Sequence, residues 1–409
     1  MAQTQYDVGI IGGGIVGCTM LFELTRQGYS CIMMEKNQYI MSEASAGNSG
    51  MLHTGFDAPL NSLEQHCIKS GHKGMFDVIN KFNIPHKTCG TVLVAWTEKQ
   101  NEIIPELRQK AHEAGILDVD FMSVSELYKK EPFLRQGAHG TLFVPGETIV
   151  DSNLLGLCCA HHATLQGAKI LTNCEVLGFK DRTLNTSCGP ISPAVTINCA
   201  GLYGDLVDNL AGLNTFSIKP RRGQYCVFGK NLNLVNSIIM PVPTEKTKGV
   251  GVFNSVYNNL VIGPTAEDVP SRTRPPLCDP KTHNYLTQTG RWIIPELNSF
   301  HPVGQYTGIR PATQFKDYQI RTYPQLGWIT VGGIRSTGVS ASLGTGQYIS
   351  EKLQSDMSLE LNRGMAKNIN ELHWEVGNNN NSSIIIEGCH YKVPHPIFQY
   401  GHQNVESKL

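Results

Sequence analysis

The segment YDVGIIGGGIVGCTMLFELTRQG, Tyr6 to Gly28, constrains this chain more than any other. A short apolar, β-branched run at 6–11 leads into glycines. A segment follows in which Val16, Met20, Leu21 and Leu24 recur at helical spacing, and Gly28 stands where a helix stop is expected. SCIMMEK then reads as a second buried strand ending at Glu35. Strand, glycine turn, helix, strand, acid is the opening βαβ unit of a dinucleotide-binding lobe. Gly12 permits the tight turn, Gly14 lets a pyrophosphate approach backbone N–H groups, and Gly17 lets the helix pack on the strand. Glu35, 18 residues after Gly17, stands where a carboxylate can accept from ribose hydroxyls. Ile15, Val16 and Lys36 flank these positions and are expected at the same cofactor. The motif alone does not separate FAD from NAD.

A chain of 409 residues is too long for one ordinary core and suits two or three domains or one two-lobed enzyme. Lys+Arg and Asp+Glu are both 34, which gives no electrostatic case for nucleic acid or an anionic membrane. Any anion site must come from a few placed residues. The twelve cysteines include no CxxC pair and no zinc or iron–sulfur spacing, so no metal is expected and no cysteine pair has the spacing of a redox site. The chain enters its first strand by about residue 6, with no secretory signal, and has no apolar run of membrane-spanning length. A reducing, cytoplasmic location is expected; peripheral membrane association stays compatible with the sequence.

Nucleotide-type βα units recur in TLFVPGETIVDSNLLGLCCAHHATLQGAKI, in AVTINCAGLYGDLV and in GWITVGGIRSTGVSASLGTGQYISEKL. RRGQYCVFG and NLVIGPTA read as strands of a more antiparallel region. This interleaving predicts two domains woven from discontinuous segments. Residues 1–85, 140–215 and 300–354 are assigned to a dinucleotide domain, and 86–139 and 216–299 to a substrate or cap domain. Residues 355–409 form a C-terminal extension with a linker near 377–383 and one short strand. The fold class is α/β: a Rossmann-like domain interleaved with a mixed, largely antiparallel substrate lobe.

The segments GIIGGGIVG, GNSGMLHTG, NCAGLYGD, PRRGQYCVF, NLVIGPTAED, TGIRPA and GGIRSTGVSASLG span Asp7 to about Leu353. Together they resemble the FAD-dependent oxidoreductases of the D-amino-acid oxidase superfamily, on the side of its glycerol-3-phosphate dehydrogenase and L-2-hydroxyglutarate dehydrogenase branches. The resemblance implies a bilobal fold with FAD as cofactor, and Asn48, Ser49 and Gly50 against the isoalloxazine. It also implies a helix whose N-terminus, at Gly338, Val339 and Ser340, points at the flavin pyrimidine and stabilises the reduced anion. The strand that runs into Ala200 and Gly201 returns backbone to the cofactor, and NCEV places Val176 beside an adenine.

His53 follows the flavin-facing glycines. It has three roles open to it: taking the proton of a substrate hydroxyl, holding the loop, or linking covalently to FAD. Arg310 corresponds to the family's anion-binding arginine, and its fork suits carboxylate or phosphate; the bland reading is a surface ion pair. Arg335 could bind the same anion or the flavin. Arg321 and Asp317 read as surface charges. Tyr225 and Tyr257 read as strand residues of the roof, lining a pocket or buried in the core. His161, His162, His390 and His395 lack further ligands at recognisable spacing and read as packing residues. The reading is hydride transfer to flavin N5 from a small anionic substrate, glycerol 3-phosphate or an L-2-hydroxy acid such as 2-hydroxyglutarate, with oxygen, a quinone or a redox protein as acceptor. An amino-acid or N-methyl-amine oxidase is the alternative, and a non-catalytic binding protein on the same fold is a third reading.

Overall fold

The computed structural model describes residues 6–243, 249–360, 368–377 and 382–403. Tyr6–Ile11 is an inner strand of a six-stranded sheet ordered Gln319–Tyr323, Trp328–Gly332, Pro193–Asn198, Tyr6–Ile11, Cys31–Met34, Lys169–Leu171. The last five run parallel and the first is antiparallel to its neighbour. Its strands are continuous apolar runs because both faces are covered; Val8, Ile10, Met33, Ile197 and Ile329 are buried to 2% exposure or less. Helices Ile15–Arg26, Leu63–Lys81, Ser152–Leu165 and Gly338–Ser355 pack around this core. Leu63–Lys81 lies on Gly338–Ser355 at two glycines: a Cβ on Gly71 would stand 2.4 Å from the Gly344 amide nitrogen. Tyr6–Ile11 has Cys31–Met34 on one side and Pro193–Asn198 on the other, so the crevice at its C-terminal end is a topological switch point.

The second lobe is a nine-stranded sheet. Its spine is the long antiparallel pair Ile218–Lys230 and Pro302–Thr313, with Arg221 opposite Arg310, Gly223 opposite Gly308 and Tyr225 opposite Tyr306. Thr91–Ala95, Gly140–Val144, Ile238–Pro241, Gly251–Asn254 and Asn259–Gly263 continue it, and Ile238–Pro241 beside Thr91–Ala95 is its parallel pair. Two bounds expected from sequence need correction. Gly140–Val144 and Pro302–Thr313, assigned above to the dinucleotide domain, are strands of this sheet. Each is an apolar run beside βα segments, and only pairing decides which sheet such a run joins. Tyr257 is likewise not in a strand but in the turn between Gly251–Asn254 and Asn259–Gly263.

A small third sheet, Met51–Leu52, Thr148–Val150 and His86–Thr88, ties the two lobes together. The C-terminal extension carries a three-stranded sheet, Trp374–Val376, Ser383–Ile386 and Cys389–Lys392, and a helix Pro396–His402. Ile384 and Ile386 are fully buried in the main core, so this region is part of the body rather than a loose tail. Residues 378–381 of the expected linker lie outside the described residues. Among the described residues no helix is long and apolar enough to cross a membrane.

Candidate active site

A cavity of about 460 Å3 opens at the switch point. Gly12, Gly14, Ile15, Val16, Glu35 and Lys36 line it from the first βαβ unit, Val176, Ala200 and Gly201 from the middle of the chain, and Gly338 and Val339 from the last helix. Its size is within the range of ligand sites. Gly12 has φ +103°, and a Cβ there would stand 2.6 Å from the Cys199 carbonyl oxygen, so only glycine fits. A Cβ on Gly17 would meet the Gly12 oxygen at 1.9 Å; Gly17 seats the helix and does not line the cavity. Both Glu35 carboxylate oxygens accept backbone N–H groups, Oε2 from Gly13 at 2.7 Å and Oε1 from Asn37 at 2.8 Å. Burial raises the Glu35 pKa, and these two bonds oppose the rise.

Two helix N-termini face this cavity: at Ile15–Arg26 the Ile15 N–H donates to Ser45 Oγ at 2.9 Å, and at Gly338–Ser355 the N-cap Thr337 makes no side-chain cap. At Gly338–Ser355 the reason is visible. The Thr337 hydroxyl is engaged by Glu64 at 2.6 Å and Tyr318 at 2.7 Å, so it does not turn back on the helix. Such ends favour negative charge. An extended anionic dinucleotide therefore fits what lines the space: close backbone, positive helix ends and a carboxylate at the first strand pair's end.

His53 lies at the seam between lobes. Met51 pairs with Ile149 and Leu52 with Thr148, so the same antiparallel register carried one step further sets His53 opposite Glu147. The His53 Nδ1–H donates to Glu147 Oε2 at 2.6 Å, while Glu147 Oε1 accepts from the Thr54 backbone N–H at 2.7 Å and its hydroxyl at 2.9 Å. Glu147 is buried, and its three donors satisfy it. With Nδ1 donating, Nε2 is the acceptor nitrogen of the ring. The His53 backbone N–H donates to Ser340 Oγ at 2.7 Å, which ties this turn to the last helix. Glu147 is a residue that sequence reasoning missed; the only signal was a carboxylate in a turn between two strands.

The GNSG turn itself is locked by its side chains. Asn48 Oδ1 accepts from the Gly50 N–H at 2.7 Å and from the Ser152 hydroxyl at 2.9 Å. Asn48 lines the large cavity; Ser49 and Gly50 line a small one behind it. Gly50 has φ +69°, a left-handed backbone that favours glycine. Gly47 meets the second lobe backbone to backbone, since a Cβ on Gly308 would stand 2.1 Å from the Gly47 carbonyl oxygen. Arg310, two residues further along that strand, is thereby brought to the turn.

The Arg310 guanidinium donates to the Thr265 carbonyl at 3.3 Å from both terminal nitrogens, and no carboxylate pairs with it among the described residues. Tyr225 lies between Arg310 and Ser49. Burial raises its pKa, against the pull of the guanidinium and the Ser49 hydroxyl. Tyr225 stacks on Tyr306 with ring centroids 4.4 Å apart. Arg335 differs: it lines the large cavity, but its guanidinium donates to the Lys316 carbonyl and stands 3.8 Å from Glu64. Asp317 is not a surface charge, because its carboxylate accepts the Leu63 and Glu64 N–H groups and so caps helix Leu63–Lys81.

The C-terminal extension reaches this site. His395 Nδ1 accepts from the Ile397 N–H, so its Nε2–H donates, to the Asn48 carbonyl at 2.9 Å. Full burial pushes the His395 pKa down to about 4 and keeps the ring neutral. His161 hydrogen-bonds Tyr391 at 2.8 Å, and His162 accepts from the Asn370 N–H at 3.2 Å; both are packing residues in this arrangement.

The DAO family, described as FAD dependent oxidoreductase, matches residues 7–352. The chain is 29% identical to the glycerol 3-phosphate oxidase of Mycoplasma pneumoniae over 350 residues, covering 82% of this chain and 91% of the relative. It is 28% identical to the L-2-hydroxyglutarate dehydrogenase of Escherichia coli over 273 residues, 64% of each. Among solved structures, dithionite-reduced L-α-glycerophosphate oxidase from Mycoplasma pneumoniae with FAD bound superposes with a TM-score of 0.79 at 28% identity, covering 90% of this chain and 97% of that one. The cavity, the two helix N-termini that face it and the match over residues 7–352 lead to one conclusion: this chain belongs to the DAO family of FAD-dependent oxidoreductases.

Proposed function

We propose that this enzyme oxidises the secondary hydroxyl of glycerol 3-phosphate to the ketone, with L-2-hydroxyglutarate as the competing substrate. The observation that carries the proposal is the His53–Glu147 pair, a base and its orienting carboxylate 2.6 Å apart at the seam. Bound FAD would supply the hydride acceptor. Gly12, Gly14, Ile15, Val16, Glu35, Lys36, Asn48, Ser49, Gly50, Val176, Ala200, Gly201, Gly338, Val339 and Ser340 are assigned to holding it, directly or through backbone shape.

His53 Nε2 takes the proton of the substrate hydroxyl as the C–H bond breaks, and Glu147 stabilises the imidazolium that forms. Arg310, without an acidic partner, receives the phosphate or carboxylate through its fork. Arg335, engaged by Lys316 and Glu64, is assigned to shaping the turn before the last helix and not to substrate. Oxygen, a quinone or a redox protein takes the electrons onward. A reducing, cytoplasmic location belongs to the same reading and is supported by free thiols throughout the chain.

The test is anaerobic addition of glycerol 3-phosphate, L-2-hydroxyglutarate, lactate, malate and glycine to the yellow holoenzyme. Glycerol 3-phosphate should bleach the flavin fastest. Bleaching by glycine and by no hydroxy compound would overturn the assignment in favour of C–N oxidation.

A further inference from the structure

Twelve cysteines are scattered through the chain with no redox spacing, yet folding brings two of them together. Cys174 follows strand Lys169–Leu171 and lines the large cavity beside Glu175, Val176 and Leu177. Cys188 is exposed in the turn between strands Thr183–Thr186 and Gly189–Ile191. Val176 pairs with Thr186, and the Ser187 N–H donates to the Glu175 carbonyl at 2.9 Å, so this hairpin folds its turn back over the 173–175 segment.

Both thiols are held around the same few atoms. Cys174 Sγ donates to Thr186 Oγ1 at 3.4 Å, and the Cys188 N–H donates to that same oxygen at 3.1 Å. Cys188 Sγ donates to the carbonyl of Asn173, the immediate neighbour of Cys174, at 3.8 Å. The two side chains lie within hydrogen-bonding reach of each other, and burial raises the Cys174 pKa. No other pair combines these properties. Cys158 and Cys159 are both buried, Cys226 and Cys278 lie buried in the second lobe, and Cys389 is exposed on a separate hairpin.

We propose that Cys174 and Cys188 form a thiol pair that a hydroperoxide converts to a disulfide, and that this modification weakens FAD retention. The exposed Cys188 thiolate attacks the peroxide: an S–O bond forms, the O–O bond breaks, and the leaving oxygen departs as water or alcohol after taking a proton. Cys174 then attacks the Cys188 sulfur. An S–S bond forms, the S–O bond breaks, and hydroxide leaves as water with the proton from Cys174. Two thiols lose two electrons, and the peroxide gains them. Cys174 is the resolving thiol because it is buried and reaches only its neighbour.

The coupling to cofactor follows from what Cys174 holds. Its N–H donates to the Glu35 carbonyl at 2.9 Å, and the Asn173 N–H to the Asn37 carbonyl at 3.0 Å. The segment therefore joins the Glu35 loop to the cavity wall. The two sulfurs must close to about 2.05 Å to bond. Cys188 stands outside the cavity, so closure draws the Cys174–Leu177 wall outward, away from the space it bounds.

The experiment treats the holoenzyme with hydrogen peroxide, blocks remaining thiols with iodoacetamide and maps the peptides, while released FAD is followed by its fluorescence. A linked peptide holding Cys174 and Cys188 is expected, with an FAD dissociation constant raised about tenfold and restored by dithiothreitol. Cys188→Ser and Cys188→Ala should bind FAD as the parent does and keep it through the treatment. Oxidation of Cys188 to sulfinate with Cys174 still alkylatable, or equal FAD loss in both Cys188 variants, overturns the proposal. A linked pair with unchanged FAD affinity overturns its coupling to the cofactor.

Discussion

The glycine turn at 12–17 and the histidine turn at 47–53 both face the cofactor space, but they are built in different ways. The first is contiguous: its strand, turn and helix lie within one βαβ unit, and its constraints begin in the local backbone, as in the positive φ of Gly12, with the Cys199 carbonyl closing on it from the same lobe. The second is assembled from five distant parts of the chain. His53 needs Glu147, Ser340 fixes its backbone, Gly308 packs on Gly47, and His395 holds Asn48. The first turn forms within one lobe; the second works only when both lobes and the C-terminal extension are docked. Cofactor binding and chemistry should therefore separate under mutation.

The sharpest separation is expected at His53. His53→Gln should slow anaerobic flavin reduction by about 10²–10⁴-fold, the usual contribution of a general base, while FAD titration stays at the parent value. A parent rate in this variant would remove His53 from proton transfer. Glu147→Gln keeps the shape but removes the charge that orients and stabilises the ring. A charge-assisted hydrogen bond of about 1.5–3 kcal/mol translates to roughly 10–150-fold in the same rate. If Glu147→Gln instead released FAD without slowing the remaining holoenzyme, Glu147 would be structural.

Gly308→Ala breaks the comparison from the other side. Its Cβ would lie 2.1 Å from the Gly47 carbonyl oxygen, so the lobes must part. Overpacking of this kind costs about 1–3 kcal/mol, readable by urea denaturation, and turnover should fall more than FAD affinity does. Equal loss of both would mean that the two turns are not independent.

The smallest change at neutral pH is expected at His395. His395→Gln can still donate to the Asn48 carbonyl and should cost about 1 kcal/mol or less. Its signature lies in acid. A folded-state pKa of about 4 is below the ordinary histidine value, so the unfolded chain takes up this proton first. Stability is held above about pH 6.5 and falls by about 1.4 kcal/mol per pH unit toward pH 4. His395→Gln should flatten that slope by one proton in urea melts across this range. An unchanged slope would show that His395 is not buried neutral in solution.

The same contrast explains what could be read in advance. The opening lobe was legible because strand, glycine turn, helix stop and acid each leave a local mark, and they form as Tyr6–Ile11, Ile15–Arg26 and Cys31–Met34. The seam was legible only in part. His53 and Arg310 stood out through their motifs, while Glu147 did not, because its role comes from register in a sheet whose first strand has two residues. Gly140–Val144 and Pro302–Thr313 were placed in the wrong lobe, since an apolar strand does not encode its partner. Asp317 looked like a surface charge because helix capping across 253 residues of chain has no sequence spacing.

By itself, the sequence determined that a dinucleotide lobe opens the chain, that charge leaves anion recognition to a few side chains, and that Gly12 and Gly17 shape the first turn and seat its helix. These follow from backbone sterics and composition, which act locally. Tertiary structure alone decided that His53 meets Glu147, that Arg310 has no carboxylate partner among the described residues while Arg335 stands near Glu64, that the extension's His395 reaches Asn48, and that Cys174 and Cys188 become neighbours. Each depends on strand register or domain docking, where contacts form between residues far apart in the chain and the free energy comes from burying the whole interface rather than from any one segment.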